Sequence, residues 1–178
     1  KENKKITEST LQLFLERTGI DMENISTELE KVLSYTEGRD VITSQDVNDI
    51  CTVQTTGQIF EMIRALAEKN QKKALDLYYD LLSLKEPPMR ILFLIARQFN
   101  QLLLVKSLAA KGYDKAAIAS RAKIAPFVAG RCMTQARSFT TDQLKTAVQD
   151  CVQAEEDVKT GKITDTLSVE LLIMKYSK

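Results

Sequence analysis

The sequence has 178 residues, a formal net charge of +1 and 44% hydrophobic residues. This length fits one large domain or two small ones, and the apolar content is ample for a packed core. The chain has no histidine, so it lacks the residue that most often serves as a catalytic base, and a zinc site is not expected. No apolar run reaches the ~18 residues of a membrane span, and no signal-peptide pattern is present.

The charges are unevenly divided along the chain. Residues 1–52 carry 6 basic and 11 acidic side chains, whereas residues 53–178 carry 19 and 13. Within 90–145 there are 10 basic and 2 acidic side chains. A basic segment of this kind can bind nucleic acid or an acidic protein surface, or it can simply be a solvated helix face.

Cysteine usage and the first residues give two further expectations. Three widely spaced cysteines favour buried reduced thiols in the cytosol over disulfides. The chain opens on Lys1 in a charged stretch rather than on Met, and we therefore expect a fragment of a longer protein.

Helix patterns with capping and terminating residues fill the first fifty positions. Three helices are expected in turn: one over 7–18 ending at Gly19, one capped by Asp21 or Asn24 and ending at Gly38, and a short one opened by a Thr43–Asp46 capping box. The sequence thus predicts a small three-helix bundle over residues 1–53.

A second, larger set of helices follows a break at Gln-Thr-Thr-Gly, residues 54–57. The expected helices are 57–69, 71–84, Pro88 to about 111, 115–122 capped by Asp114, Pro126 to about 138, a Thr140–Gln143 capping box to near Gly161, and 165–176 with Leu167, Leu171, Leu172 and Met174. The predicted fold is therefore all-α, with a larger helical domain over residues 54–178.

The helix that begins at Pro87-Pro88 is apolar almost all the way round. At 100° per residue, one broad arc holds eight apolar residues: Ile91, Leu92, Leu94, Ile95, Phe99, Leu102, Leu103 and Val105. The opposite side mixes Phe93, Leu104 and Leu108 with Arg90, Arg97 and Asn100. Because one apolar stripe suffices for a two-layer fold, we expect this helix to be surrounded, in part by another subunit. Gln98 lies within the apolar arc and requires a hydrogen-bond partner if it is buried.

No catalytic, cofactor-binding or metal-binding set of residues is indicated. The densest acidic cluster, Glu155-Glu156-Asp157, has adjacent side chains that point in different directions on a helix. Gly161-Lys162 resembles the end of a phosphate-binding loop, but Glu156 stands where that motif needs its first glycine.

Residues 116–128 are similar to a helix-turn-helix. A DNA-binding regulator that uses Arg121, Lys123 and Arg131 is therefore the alternative hypothesis. Against it, Lys123 replaces the usual turn glycine, and the second helix offers apolar residues to a core.

The order of motifs resembles one family, the delta subunit of the bacterial DNA polymerase III clamp loader. The matching segments are Ile25 to Leu33, Ile59 to Ile63, Ala74-Leu75, Glu86-Pro87-Pro88, Ile95 to Phe99, Pro126-Phe127, Gln135 to Phe139, Asp157 to Gly161 and Glu170-Leu171-Leu172. No single segment is specific, but together they cover nearly the whole chain in the order of the family.

The resemblance implies that residues 1–53 are the lid of an AAA+ module and residues 54–178 the collar through which clamp-loader subunits form a pentameric ring. It implies a non-catalytic, cytoplasmic subunit without a cofactor, since delta subunits typically leave ATP hydrolysis to their partners. The implied partners are delta-prime, tau/gamma, the sliding clamp through an N-terminal domain absent here, and indirectly primer-template DNA.

Four residues are candidate subunit contacts. Arg97 and Gln98 interrupt the apolar helix, although an exposed arginine beside an internally bonded glutamine explains them equally well. Arg137 and Lys159 are further candidates, with solvated helix faces as the alternative.

Overall fold

The computed structural model describes residues 4–19, 22–52 and 55–177, except the side chain of Glu16. Over these ranges the chain forms ten helices and one pair of two-residue strands, which confirms the all-α prediction. The chain divides into two compact units, Lys1–Gly57 and Gln58–Lys178. Their identification as lid and collar stays a prediction.

The first unit is a three-helix bundle with a minimal strand pair. Its elements are β1 (Lys5–Ile6), α1 (Glu8–Thr18), α2 (Met22–Tyr35), β2 (Val41–Ile42) and α3 (Ser44–Ile50). The two strands are parallel, with Lys5 opposite Val41 and Ile6 opposite Ile42. The core contains Phe14, Val32, Ile42, Val47 and Cys51. The strand pair was not predicted, because two residues are too few to produce a periodic signal.

Capping explains where these helices begin and end. The Thr7 hydroxyl accepts from the Thr10 N–H at the start of α1, and Gly19 ends that helix at φ +77°. The predicted Asn24 cap is wrong, because α2 already begins at Met22 and the Asn24 side chain instead donates to the Thr18 carbonyl at 2.7 Å. The other proposed cap, Asp21, lies outside the described residues.

The predicted capping box of α3 is confirmed, and its buried Asp46 also pairs with exposed Arg39. The Asp46 carboxylate accepts from the Thr43 N–H and hydroxyl, both at 2.8 Å, and from Arg39 at 2.8 Å. The Thr43 N–H bond lowers the pKa of Asp46; the opposing effect of burial is outweighed once the Thr43 hydroxyl and Arg39 add their hydrogen bonds. Asp46 therefore stabilises this unit as a carboxylate.

Over its described residues, the second unit is built from seven helices, the first of which begins just before the unit boundary. They are α4 (Thr55–Ala67), α5 (Gln71–Ser83), α6 (Pro88–Ala110), α7 (Lys115–Ala122), α8 (Pro126–Ala136), α9 (Thr141–Lys159) and α10 (Asp165–Tyr176). The Thr140–Gln143 capping box and the Asp114 cap are confirmed. Of the break predicted at 54–57, the last three residues form the first turn of α4, and Gln54 lies outside the described residues.

Helix α6 is the centre of the second unit. Helices α7, α8, α9 and α10 all pack against it. Its buried residues are Ile91, Leu92, Ile95, Gln98, Phe99, Leu102 and Val105. Their identity confirms most of the predicted apolar arc, although Leu94 and Leu103 are half-buried. By length and composition α6 could cross a membrane, but the shell of helices on its buried face accounts for its apolar sequence as a core element.

All three cysteines are buried free thiols, as expected. Burial raises the pKa of Cys51 and Cys132 to about 11 and that of Cys151 to about 12. Since the thiolate is the reactive form, these side chains act as small apolar core residues.

Replacing Asp46 by Asn tests the buried capping box. We expect Asp46→Asn to lower the free energy of unfolding at pH 7 by about 1–2 kcal/mol, because a neutral amide with one oxygen replaces the two charged oxygens that accept from Thr43 and Arg39. Since the folded-state pKa is lowered, this contribution is present above the unfolded pKa of about 3.9 and disappears as the pH falls through the folded value.

Urea unfolding at pH 7 and pH 3, followed by circular dichroism, measures this difference. Asp49→Asn, an exposed change on the same helix, is the control and should alter stability little. An Asp46→Asn deficit that is equal at both pH values would contradict the assignment.

Candidate subunit interface

One side of α6 is exposed and carries a mixed apolar and basic stripe. We call Phe93, Arg97, Asn100 and Leu104 the α6 stripe; their spacing of four, three and four residues places them on one helix face. Phe93 is 64% exposed and Leu104 is 43% exposed. Among the described residues, the expected neighbours of α6 are therefore missing on the side that the sequence places opposite the apolar arc.

Neighbouring Arg97 and Gln98 point to different environments. Arg97 is exposed in the α6 stripe, whereas Gln98 is buried. The Gln98 amide donates to Gln135 Oε1 at 3.0 Å, and the Gln135 amide donates to the Phe60 carbonyl at 3.0 Å. This relay links α6, α8 and α4 and supplies the partner that a buried glutamine requires. The structure thus uses Gln98 inside the unit and leaves Arg97 available at its surface.

Arg137 and Lys159 lie on other helices. Arg137 is the exposed C-terminal cap of α8. Lys159 is exposed in the last turn of α9 and pairs with Glu155 at 2.5 Å. Within the described parts of the chain, no hydrogen bond joins these two side chains to Arg97, Gln98 or each other. An interface role for any of the four remains a prediction.

A second exposed apolar stripe lies on α10 and was not foreseen. Of the four apolar residues named for this helix, Leu172 is buried, while Leu167, Leu171 and Met174 are exposed. The helix is apolar on two sides, and its buried side uses Ser168, Val169, Leu172 and Ile173. The regular spacing of Leu167, Leu171 and Met174 indicates an apolar helix face. Spacing alone does not show whether that face packs in the core or is exposed.

Polar contacts fix α10 against its neighbours. The Tyr79 hydroxyl donates to Glu170 at 2.9 Å, and this bond raises the pKa of Tyr79. On the α9 side, Lys175 pairs with Asp150 at 2.7 Å, and the Tyr176 hydroxyl donates to the same carboxylate. Burial raises the pKa of Asp150, but these two partners outweigh it and the net shift is downward. The three exposed residues Leu167, Leu171 and Met174, which we call the α10 stripe, therefore lie on a helix that polar contacts hold to α5 and α9.

The predicted helix-turn-helix segment has the expected backbone, but several of its side chains are engaged in contacts within the chain. Lys123 adopts the left-handed conformation itself, with φ 53° and ψ 46°, in place of the missing glycine. Arg121 lies 4.2 Å from the centre of the Tyr113 ring, and Arg131 lies 3.8 Å from that of Phe60. Helix α8 also buries Cys132 and Gln135 in the core. Two of the three proposed base-reading residues thus already have intramolecular partners.

The acidic cluster of α9 disperses as expected. Glu155 pairs with Lys159, while Asp157 pairs with Lys162 at 2.9 Å. In the ranges that the structure covers, no group of three cysteine or carboxylate side chains is arranged to hold a metal ion.

The fold of this chain is similar to that of a solved structure, the Bacillus subtilis DNA clamp loader delta protein. The match has a TM-score of 0.87 at 29% identity and covers 99% of this chain and 52% of that one. Among curated proteins, the DNA polymerase III subunit delta of Bacillus subtilis (strain 168) is 32% identical over 97% of this chain and 49% of its own length. The probable DNA polymerase III subunit delta of Aquifex aeolicus (strain VF5) is 26% identical over 61% of this chain and 31% of its length.

The sequence model described as the DNA polymerase III delta subunit, C-terminal domain, matches residues 56–176. The chain therefore belongs to the DNA polymerase III delta subunit family. It spans half or less of the length of the curated relatives that it matches.

A double-mutant cycle tests the buried glutamine relay. Gln98→Leu leaves the Gln135 carbonyl oxygen without its donor, and we expect a loss of about 1–3 kcal/mol in unfolding free energy. The double change Gln98→Leu with Gln135→Leu should cost less than the sum of the single changes by more than about 0.5 kcal/mol. Urea unfolding supplies all four values, with exposed Gln153→Leu as the control, and strict additivity would show that the two amides are not coupled.

Replacing Lys123 by Gly tests the left-handed turn. We expect Lys123→Gly to raise unfolding free energy by about 0.5–1 kcal/mol, because glycine adopts positive φ without steric cost. Lys111→Gly is the matched control: Lys111 ends α6 at φ −85°, so glycine there only gains freedom in the unfolded chain and should destabilise. Thermal unfolding of both variants measures the two changes in stability. Changes of the same sign would contradict the assigned role of the left-handed turn.

Proposed function

We propose that this chain is the non-catalytic assembly part of a clamp-loader delta subunit in the bacterial DNA polymerase III holoenzyme. The likeness to a clamp loader delta protein over nearly the whole chain is the observation that carries the proposal. Residues 1–53 act as the lid of an AAA+ module, and residues 54–178 act as the collar that joins the pentameric ring. Hydrolysis of ATP belongs to the partner subunits.

Surface features of the second unit support an assembly role. Both the α6 stripe and the α10 stripe expose large apolar side chains on helices whose other faces are buried in the core. Exposed apolar groups on ordered helices are typical of protein–protein contacts when they are clustered. Arg97 is the first candidate for a polar contact with a neighbour, ahead of Arg137 and Lys159, whereas Gln98 supports the interface from inside the unit.

The proposed partners are the other clamp-loader subunits, delta-prime and tau/gamma, in the cytoplasm. The N-terminal AAA+ domain of a full-length delta subunit contacts the sliding clamp, and contact with primer-template DNA is indirect, through the assembled ring. The basic excess over 90–145 suits either acidic neighbours or that DNA.

Co-purification with delta-prime and tau/gamma tests this proposal. We expect the tagged chain to enter a complex with these subunits on size-exclusion chromatography, and to show neither ATP hydrolysis nor self-assembly when it is alone. A chain that keeps its helical circular dichroism but enters no complex would refute the assembly role. Sequence-specific binding of the isolated chain to duplex DNA would instead favour the regulator hypothesis.

A further inference from the structure

We infer that the α6 stripe binds an amphipathic helix of a neighbouring subunit whose apolar face is flanked by carboxylates. The inference rests on the proposed function, because it presumes assembly with partner subunits. It adds which face of the unit is used and the chemistry of the segment that covers it.

The apolar part of the stripe fits one helix. Phe93 and Leu104 are separated by eleven residues, which corresponds to three turns and about 16 Å along the axis. Half-buried Leu94 and Leu108 border the stripe and widen its apolar area. A partner helix with apolar residues at matching turns can pack along this length in the way that helices pack in protein cores.

Nothing within the described unit requires Phe93 to be aromatic. The ring is 64% exposed, whereas the buried face of α6 already supplies the core. A surface helix normally carries polar residues at such a position. Exposed aromatic side chains and arginines are both enriched at protein interfaces.

The positive charge of α6 indicates that the partner segment is negatively charged. Between residues 87 and 113 the chain has four basic residues and no Asp or Glu. Two of these cations have partners: Arg90 pairs with Glu86 at 3.3 Å, and Lys106 donates to the Ala136 carbonyl at 3.0 Å. Arg97 lies between the two apolar side chains, and no carboxylate within the described residues forms an ion pair with it. Its planar guanidinium can take a partner carboxylate through two parallel hydrogen bonds.

The same charges disfavour a second copy of this chain as the occupant. A two-fold contact centred on the stripe would bring the Arg97 side chains of both copies together, since Arg97 lies near its midpoint. No acidic residue of α6 could compensate for that repulsion. The stripe is therefore selective for a different chain that supplies the carboxylates.

Photo-crosslinking identifies the occupant directly. The chain carries photoreactive p-benzoylphenylalanine in place of Phe93 and is assembled with delta-prime and tau/gamma before irradiation and peptide mapping. We expect a crosslink to a helical peptide of one of these subunits that has Asp or Glu beside its apolar residues. A crosslink to another copy of this chain, to a peptide without carboxylates, or to nothing would overturn the inference.

Binding measurements on variants of the α6 stripe provide a second, independent test. We expect Arg97→Glu and Phe93→Ser each to weaken assembly about tenfold or more, with Arg97→Lys intermediate because it keeps the charge but loses the fork. Raising the salt from about 50 to 300 mM should weaken the unsubstituted chain more than Arg97→Gln, since the ion pair is screened. Lys72→Glu on α5 and Met22→Ser on α2 are exposed controls in charge and in apolar character.

The outcomes distinguish failure of the proposed function from failure of the α6 stripe assignment. If the unsubstituted chain binds no subunit, the proposed function itself fails. If it binds, and Phe93→Ser and Arg97→Glu bind equally well while keeping their helical content, only the assignment of the α6 stripe is overturned.

Discussion

The second unit depends on the burial of one long helix. Helix α6 has seven buried residues along its 23-residue length, and α7, α8, α9 and α10 all pack against it. Side chains that fill such a core cannot change size or direction without cost, because interiors are close-packed. The packing of the buried face of α6 therefore sets the backbone position of each residue on its exposed face, including the α6 stripe.

The polar relay behind the α6 stripe adds direction to this apolar packing. Apolar contacts tolerate small rotations of a helix, whereas the Gln98–Gln135 bond and the bond onward to the Phe60 carbonyl have defined partners and lengths. A rotation of α6 that moved Arg97 inward would break the Gln98–Gln135 bond, while the bond to the Phe60 carbonyl would still hold the Gln135 side chain in place. The buried glutamine thus contributes to the surface through its neighbour, because it helps to set the direction in which Arg97 points.

Helix positions were largely predictable, and the orientation of some helices was not. Thr43 and Thr140 revealed helix starts because capping is a local interaction between nearby residues. The apolar arc of α6 was readable because it repeats along the helix from residue 91 to residue 105. Helix α10 was misleading, since Leu167 and Leu171 are as apolar as the buried Leu172. Asn24 failed as a cap because α2 begins two residues before it, and its side chain instead donates to the Thr18 carbonyl at the end of α1. Whether a residue faces a core or a partner depends on tertiary packing, which one sequence does not state.

The buried thiols have a practical consequence for studying this protein. Cys51, Cys132 and Cys151 are the only cysteines of the chain, and burial keeps each of them protonated near neutral pH. A cysteine introduced at an exposed position would therefore be the most reactive thiol by a wide margin. The natural sequence can serve as a background for attaching a single fluorophore or spin label, so that distances to a neighbouring chain can be followed during assembly without first removing the native cysteines.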